Sequence, residues 1–188
     1  ATLSLNQIAE RISLNLEHTV VATLVEDTIT DTWSAFKKEE ITLRCDVAPD
    51  LPEIFTDVAK LRMILKHLLQ NAIKFTLEGE VIMTVHGVNE GVEFRVLDTG
   101  IGIAPEHHAR IFDRFWMVDG SDTRQFGGAG LGLYIAGQMA AALGGHITVE
   151  STLGQGSTFA LWIPNHIEPR SLEAATETQD SIPDPLSA

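Results

Sequence analysis

The sequence predicts an α+β fold, a two-layer α/β sandwich in which helices cover one face of a mixed, mostly antiparallel sheet. Two alternating apolar runs, 81–85 and 92–96, are joined by the short stretch 89–91 and predict a β-hairpin. This connection is too short for the crossover helix that a parallel pair requires. Helical patterns precede and follow the hairpin, as in folds whose helices pack on one side of a sheet. A doubly wound parallel fold therefore fits less well.

The elements follow from hydrophobic periodicity. Apolar residues at helical spacing predict helices, and alternating residues predict strands. The predicted helices are 19–38, capped by Thr19; one from Thr56 or Asp57 to Phe75; a short one over 105–111; and 131–143, stopped by Gly144 and Gly145. The predicted strands are 41–47, the two hairpin strands, 147–149 and 159–163, with a short alternating stretch over 13–17.

Composition and charge narrow the class of protein. The chain has 188 residues, 44% of them hydrophobic, which suits one globular domain. Its formal net charge of −13 opposes nonspecific binding to nucleic acid or anionic lipid. No stretch reaches the roughly 20 apolar residues that span a bilayer. We therefore expect a cytoplasmic chain that binds neither nucleic acid nor a membrane. Because the sequence begins without methionine, we expect it to be a piece of a longer protein, and any membrane anchor would lie elsewhere in that protein.

The single cysteine, Cys45, is predicted to be a buried thiol. Ile41, Leu43, Cys45 and Val47 alternate as the inward face of a strand would. One cysteine cannot form an internal disulfide, which fits a reducing compartment.

The helix that ends at Phe75 carries a polar stripe. His67, Asn71 and Lys74 fall at i, i+4 and i+7, offset from the leucine face. A solvated helix surface explains such a stripe equally well. An asparagine oxygen suits magnesium, however, and a lysine suits phosphate, so the stripe is also a candidate for a metal–nucleotide site.

Two glycine-rich runs border predicted elements, one after a strand and one at the start of a helix, at places where a ligand can approach the backbone. Asp98 ends a strand just before Gly100 and Gly102, where it is either an ordinary turn residue or an acceptor for a ligand's amino group. The run 127–130 opens a helix whose first N–H groups suit phosphate, with a flexible turn as the alternative.

Five sequence boxes, taken in their order along the chain, resemble the ATP-binding catalytic domain of sensor histidine kinases. The boxes are 67–76, 98–102, 112–115, 128–133 and 154–159. The resemblance covers about residues 12–164 and implies the Bergerat fold shared with gyrase-type, mismatch-repair and heat-shock chaperone ATPases. Residues 1–11 then belong to an upstream helix or linker, and the acidic stretch 165–188 is predicted to be a disordered tail or linker.

The resemblance implies roles for individual residues. Asn71 resembles the family's Mg²⁺ ligand, Lys74 its phosphate contact and Asp98 its adenine-recognising residue, with Gly102 beside Asp98 and Thr158 holding a bridging water. Residues 113–128 resemble a mobile ATP lid anchored by Phe112 and Phe115, although apolar packing also explains both phenylalanines. The remaining members of the implied nucleotide site are Gly100, Ile103, Gly128, Gly130, Leu131, Gly132 and Leu133.

Two positions depart from the family pattern. His67 stands where the family usually has asparagine; it is a candidate catalytic residue whose charge depends on pH, or a neighbour of the site. Met117 stands where an arginine often lies in the lid, and Arg114 or Arg124 is the candidate substitute.

The resemblance implies transfer of the ATP γ-phosphoryl group to a histidine. None of the seven histidines has the sequence context of a phosphoacceptor, so we expect that histidine on a separate domain and no autophosphorylation by this chain alone. The expected partners are that domain and a response regulator, within a homodimeric full-length protein. A degenerate module that binds nucleotide without transfer is the alternative. A Bergerat-fold ATPase ranks last, because it needs a helix glutamate where this chain has His67 and Gln70.

Overall fold

A five-stranded sheet forms one layer of the fold, and the three α-helices among the described residues form the other. The computed structural model describes residues 13–116 and 130–167. In chain order the elements are β1 (Glu17–Val20), α1 (Val21–Phe36), β2 (Ile41–Val47), β3 (Glu53–Thr56), α2 (Val58–Phe75), β4 (Gly79–Val88), β5 (Gly91–Asp98), a 3-10 turn (Pro105–His107), α3 (Gly132–Ala142), β6 (His146–Thr152) and β7 (Gly156–Pro164). The predicted α+β sandwich is confirmed.

The sheet has the strand order β2-β4-β5-β7-β6. Strands β2 and β4 are parallel, and each other neighbouring pair in this sheet is antiparallel. The β4–β5 hairpin turns at Asn89 and Glu90, whose φ angles are 46° and 45°. Two positive φ angles give a turn whose twist matches that of the strands. The prediction of a mixed, mostly antiparallel sheet with this hairpin is confirmed.

Helix α2 lies at the centre of the helix layer, between α1 and α3. Its apolar face is fully buried against the sheet, where alternate residues of β4 and β5 point towards it. The predicted buried residues of this helix, all at most 3% exposed, are Leu61, Ile64, Leu65, Leu68, Leu69 and Ala72. The core therefore fixes the rotation of α2 about its axis, and with it the direction of the polar stripe.

The predicted start of α1 is wrong. Thr19 is not its cap, because residues 17–20 form β1 and the helix begins at Val21 with no side-chain cap on Val20. β1 pairs antiparallel with β3, a four-residue strand that the sequence analysis missed. This strand lies after Pro49 and Pro52 and directly before α2. α1 also ends at Phe36 rather than Lys38, and the predicted helix over 105–111 is only a 3-10 turn followed by irregular turns.

Cys45 is exposed, which contradicts the predicted buried thiol. It pairs with the buried Met83 and so lies on the predicted face of the sheet. However, β2 is an edge strand, and of its inward-facing residues only Ile41 is buried, while Leu43 and Val47 are partly buried and pack against the core. Alternation correctly identified the face, but it does not reveal which positions of an edge strand stay exposed.

Asp57 ties the beginning of the described chain to the start of α2. Its Oδ1 accepts the Lys60 N–H at 3.0 Å as the helix N-cap, and its Oδ2 accepts the Asn15 N–H at 2.9 Å and the Lys60 ammonium at 2.6 Å. The side chain is buried, and burial alone would raise its pKa. The hydrogen bonds from Asn15 and Lys60 outweigh burial and hold the pKa of Asp57 below its usual range.

Replacing Asp57 by alanine should lower the free energy of unfolding by about 2 kcal/mol at neutral pH, because a helix cap and charge-assisted hydrogen bonds are lost. A carboxylate with a lowered pKa stabilises the fold fully above its unfolded pKa of about 4 and loses that contribution as the pH falls through the folded value. Urea unfolding of both chains across acidic pH should therefore show the difference shrinking. Asp57→Asn keeps an oxygen that caps the helix, so its free energy of unfolding should lie between those of the unaltered chain and Asp57→Ala. A difference in stability between the unaltered chain and Asp57→Ala that does not change with pH would contradict this account.

Candidate functional site

The polar stripe predicted on α2 is present. His67, Asn71 and Lys74 are each half-buried rather than fully solvated. Burial lowers the pKa of the His67 imidazole and of the Lys74 ammonium. Loss of water disfavours a charged form, and a bound anion restores the balance in favour of the cation. This electrostatic environment suits a negatively charged ligand.

The loop after β5 packs against the C-terminal end of α2. The Ile101 N–H donates to the Phe75 carbonyl at 3.2 Å. A Cβ on Gly100 would lie 2.3 Å from the same carbonyl oxygen, closer than any side chain can approach. Glycine at position 100 is therefore required by the contact with α2.

Asp98 is the last residue of β5, and it is only 5% exposed. Its Oδ1 accepts the Gly100 N–H at 2.9 Å, and the Ser157 N–H also donates to the side chain. Burial raises the pKa of the Asp98 carboxyl, while these two hydrogen bonds act in the opposite direction. A carboxylate accepts about four hydrogen bonds, so Asp98 keeps acceptor capacity for a ligand.

The loop bends at Gly102, whose φ is +67°. A Cβ there would lie 2.0 Å from the Thr152 carbonyl oxygen. On either side of this bend, the Gly154 N–H donates to the Ile101 carbonyl at 2.7 Å, and the Ile103 N–H donates to Ser151 Oγ at 2.8 Å. The glycine spacing thus fits this loop between α2 and the β6–β7 turn.

The first residue of α3 lies beside the stripe. A Cβ on Gly132 would be 3.4 Å from His67 Nδ1, so backbone at the start of this helix lies next to the imidazole. Just before it, Gly130 has φ +65°, and its carbonyl accepts the Phe115 N–H at 3.2 Å. The predicted lid over 113–128 lies mostly outside the described residues, together with Met117, Arg124 and Gly128.

The two predicted lid anchors occupy different environments. Phe112 is half-buried and packs against the core, and a Cβ on Gly137 of α3 would lie 3.9 Å from its ring. Phe115 is 61% exposed, has φ 61° and carries the Arg114 guanidinium 4.7 Å from its ring centroid. Apolar packing therefore accounts for Phe112 but not for Phe115.

Thr158 does not lie on the same face of the sheet as Asp98. It pairs with Leu97 and Glu150, both exposed on the side away from the helices. Ser157 is the residue paired with Asp98; it is buried, and its Oγ lies 2.9 Å from Ser151 Oγ. Counting alternate residues back from the core residue Phe159 selects Ser157, and the sequence analysis missed this signal.

The remaining predicted contacts lie at the two ends of the stripe. Ile103 follows the bend near Asp98, while Leu131 and Leu133 flank the first residue of α3; all three are half-buried. From His67 to Phe75 the helix rises about 12 Å at 1.5 Å per residue. The structure thus places a buried carboxylate at one end of this span and a helix N-terminus at the other.

Comparisons with known proteins agree with this architecture. The profile of the family described as "Histidine kinase-, DNA gyrase B-, and HSP90-like ATPase" matches residues 56–167, which is more than half of the chain. The chain is 39% identical over 177 residues to the circadian input-output histidine kinase CikA of Synechococcus elongatus, a match covering 89% of this chain and 24% of the relative. It is 44% identical over 127 residues to the sensor histidine kinase AruS of Pseudomonas aeruginosa, covering 65% and 12%.

Solved structures show the same fold. Full-length ShkA, crystallised with AMPPNP, superposes with a TM-score of 0.73 at 34% identity, over 84% of this chain and 34% of ShkA. The catalytic domain of the histidine kinase ThkA superposes with a TM-score of 0.70 at 22% identity, over 81% of this chain and 99% of that domain.

The chain spans about a quarter or less of the curated relatives named above. Among the described residues, none of the helices is long and apolar enough to cross a membrane. The family match, the related kinases and the shared fold lead to one conclusion: this chain belongs to the histidine kinase-, DNA gyrase B- and HSP90-like ATPases, as an ATP-binding catalytic domain of the sensor histidine kinase type.

Proposed function

We propose that the chain binds MgATP along α2 and donates the γ-phosphoryl group to a histidine on a separate phosphoacceptor domain. The observation that supports this most directly is the polar stripe of α2, which lies between the buried Asp98 and the start of α3. A nucleotide is complementary to this arrangement, because it carries an amine-bearing base at one end, which suits a carboxylate, and anionic phosphates at the other, which suit helix N–H groups. The domain that performs this reaction is proposed to extend over residues 12–164.

At the adenine end, Asp98 accepts a hydrogen bond from the exocyclic amine. Its carboxylate already lacks most of its water, so a donor from the base recovers part of the solvation that burial removes. Gly100 and Gly102 shape the loop on which the base rests, with Ile103 beside it. Ser157, rather than Thr158, lies on the correct face to assist Asp98.

At the phosphate end, the first N–H groups of α3 offset negative charge, with Gly130, Leu131, Gly132 and Leu133 supplying that backbone. Lys74 begins nearer the Asp98 end of the stripe and contributes positive charge to the phosphates through its long side chain. Asn71 offers an amide oxygen to Mg²⁺, which polarises the phosphates when bound. The described residues contain no cluster of three or more histidine, cysteine, aspartate or glutamate side chains that could hold a metal. This donor set fits Mg²⁺, which is usually bound by few protein ligands and by the substrate phosphates.

His67 lies between Asn71 and α3 along the stripe. Because burial lowers its pKa, the imidazole is neutral at pH 7 in the absence of ligand and donates one hydrogen bond. A bound phosphate accepts this hydrogen bond and shifts the imidazole towards its charged form. Phosphoryl transfer depends mainly on such positioning and on charge neutralisation, so the acid or base near the acceptor histidine belongs to the partner domain.

The proposed partners follow from this chemistry. A phosphoacceptor domain receives the phosphoryl group, a response regulator receives it next, and the full-length protein is a cytoplasmic or membrane-anchored homodimer. A lid over 113–128 is part of the proposal, with the expected role of excluding water from the nucleotide; most of it lies outside the described residues. The alternative, a degenerate module that only binds nucleotide, rests on two departures from the pattern alone, His67 and Met117, and the related kinases do not favour it.

Transfer in trans distinguishes these functions. We expect the chain with radiolabelled ATP and a histidine-bearing helical hairpin from the full-length protein to label the hairpin, giving an acid-labile, base-stable phosphohistidine. Omitting either the hairpin or Mg²⁺ should abolish the label. ATP binding without transfer would favour the regulatory module, whereas phosphate release without a hairpin would favour the ATPase.

Asp98→Asn should weaken ATP binding by about one to two orders of magnitude, because a charge-assisted hydrogen bond of roughly 1.5 to 3 kcal/mol is lost. The chain without nucleotide should be equally or more stable, because the variant removes a carboxylate whose charge is disfavoured by burial. Calorimetry and thermal unfolding measure both effects, with the exposed Asp46→Asn as the control. An unchanged ATP affinity in a folded variant would refute the role of Asp98.

Asn71→Ala should weaken ATP binding about tenfold in Mg²⁺ and much less in EDTA, since a lost metal ligand matters only when the metal is present. Titrations with and without Mg²⁺ compare the two losses. Gln70→Ala, at the neighbouring half-buried position, is the matched control. Equal losses in both buffers would exclude a metal role for Asn71.

A further inference from the structure

Lys38, in the connection between α1 and β2, reaches across to the C-terminal end of α2. Its Nζ donates to the carbonyls of Ile73 at 2.7 Å, Thr76 at 3.1 Å and Lys74 at 3.2 Å. An ammonium group has three N–H donors. All three are therefore directed at one helix terminus.

This terminus has no conventional stop. The residue after the helix, Thr76, is extended, with φ −98° and ψ 121°, so the left-handed glycine that often caps a helix is absent. The last carbonyls of a helix lack partners within it and carry partial negative charge. Here Thr76 satisfies the Ala72 carbonyl and Ile101 satisfies that of Phe75. Lys38 satisfies the carbonyls of Ile73 and Lys74, and it also supplies a positive charge that compensates the partial negative charge of the helix end.

The same helix end carries the candidate site. Lys74 belongs to the segment that Lys38 holds, and Asn71 lies one turn earlier. The Asp98 loop rests on this segment through Gly100 and the Ile101–Phe75 hydrogen bond. A shift of the terminus would therefore alter the distance between the phosphate-binding side chains and the adenine-binding carboxylate.

We propose that Lys38 is a positioning residue of the nucleotide site, which fixes the C-terminal end of α2 and offsets the negative end of its dipole beside Lys74 and the Asp98 loop. This rests on the proposed ATP-binding function. Lys38 acts on the helix end shared by both halves of the site, so its loss weakens the binding of ATP and of ADP alike. The loss of Asn71 differs, because it weakens binding mainly when Mg²⁺ is present.

Lys38→Met tests this, because it removes the ammonium while keeping most of the apolar stem. We expect ATP and ADP affinities to fall about tenfold, the range typical of residues that orient a binding group. Lys37→Met, at the exposed neighbouring position, is the matched control and should bind as the unaltered chain does. Lys38→Arg should give an intermediate affinity, since a planar guanidinium keeps the charge but meets fewer of the three carbonyls.

Calorimetry measures these affinities where circular dichroism shows each variant to be folded. Equal affinities for Lys38→Met and Lys37→Met would overturn the proposal, as would a loss explained entirely by the unfolded fraction. If the unaltered chain binds no ATP, the proposed function itself fails, and the two failures are thus distinguished.

A measurement on the unaltered chain covers the case in which Lys38→Met does not fold. Nitrogen-15 NMR of the lysine side chains should show the Lys38 ammonium protons exchanging with water more slowly than those of Lys37, and shifting when ATP binds. An ammonium that exchanges as fast as that of Lys37, or that is unaffected by ATP, would overturn the proposal.

Discussion

The burial of α2 is the constraint on which the rest of the structure depends. Its apolar face is held against β4 and β5 by side chains with no exposed surface, so the helix cannot rotate without exposing the core. Because α1 and α3 pack on its two flanks, α2 keeps one partly exposed strip, on the side away from the sheet. The half-buried residues His67, Asn71 and Lys74 fall on that strip. Folding and site formation are therefore one event, since the leucines that stabilise the sandwich also direct the polar stripe.

The site also contains groups that work against stability. Asp98 is a buried carboxylate whose charge is disfavoured by burial, and burial likewise disfavours the charge on Lys74. Such groups cost free energy without a ligand and recover it when a complementary one binds. The fold tolerates them because hydrogen bonds to the backbone fix the segments that carry them, among them Gly100 on Asp98 and Lys38 on the end of α2. Stability and binding thus meet at the same helix terminus.

Much of this arrangement could be predicted from the sequence. Helix periodicity located α2 and its stripe, and alternation located the hairpin and the strand that ends at Asp98. Long-range pairing could not be read in this way: β3 is too short to have a pattern of its own, and the exposure of Cys45 depends on the place of β2 at the edge of the sheet. Thr158 was predicted beside Asp98, but Ser157 is the residue paired with it, because a shift of one residue places a strand side chain on the opposite face. Lys38 carries no motif, and only the folded chain shows its contacts with α2.

The central claim, that one ligand binds along α2 between Asp98 and the start of α3, is tested most directly by NMR titration with AMPPNP and Mg²⁺. We expect the largest amide shift changes at residues 67–76, 98–103 and 130–133, with the helix-free face of the sheet, around Arg95 and Thr148, unaffected. Shift changes centred on that opposite face, or none at saturating nucleotide, would contradict the account.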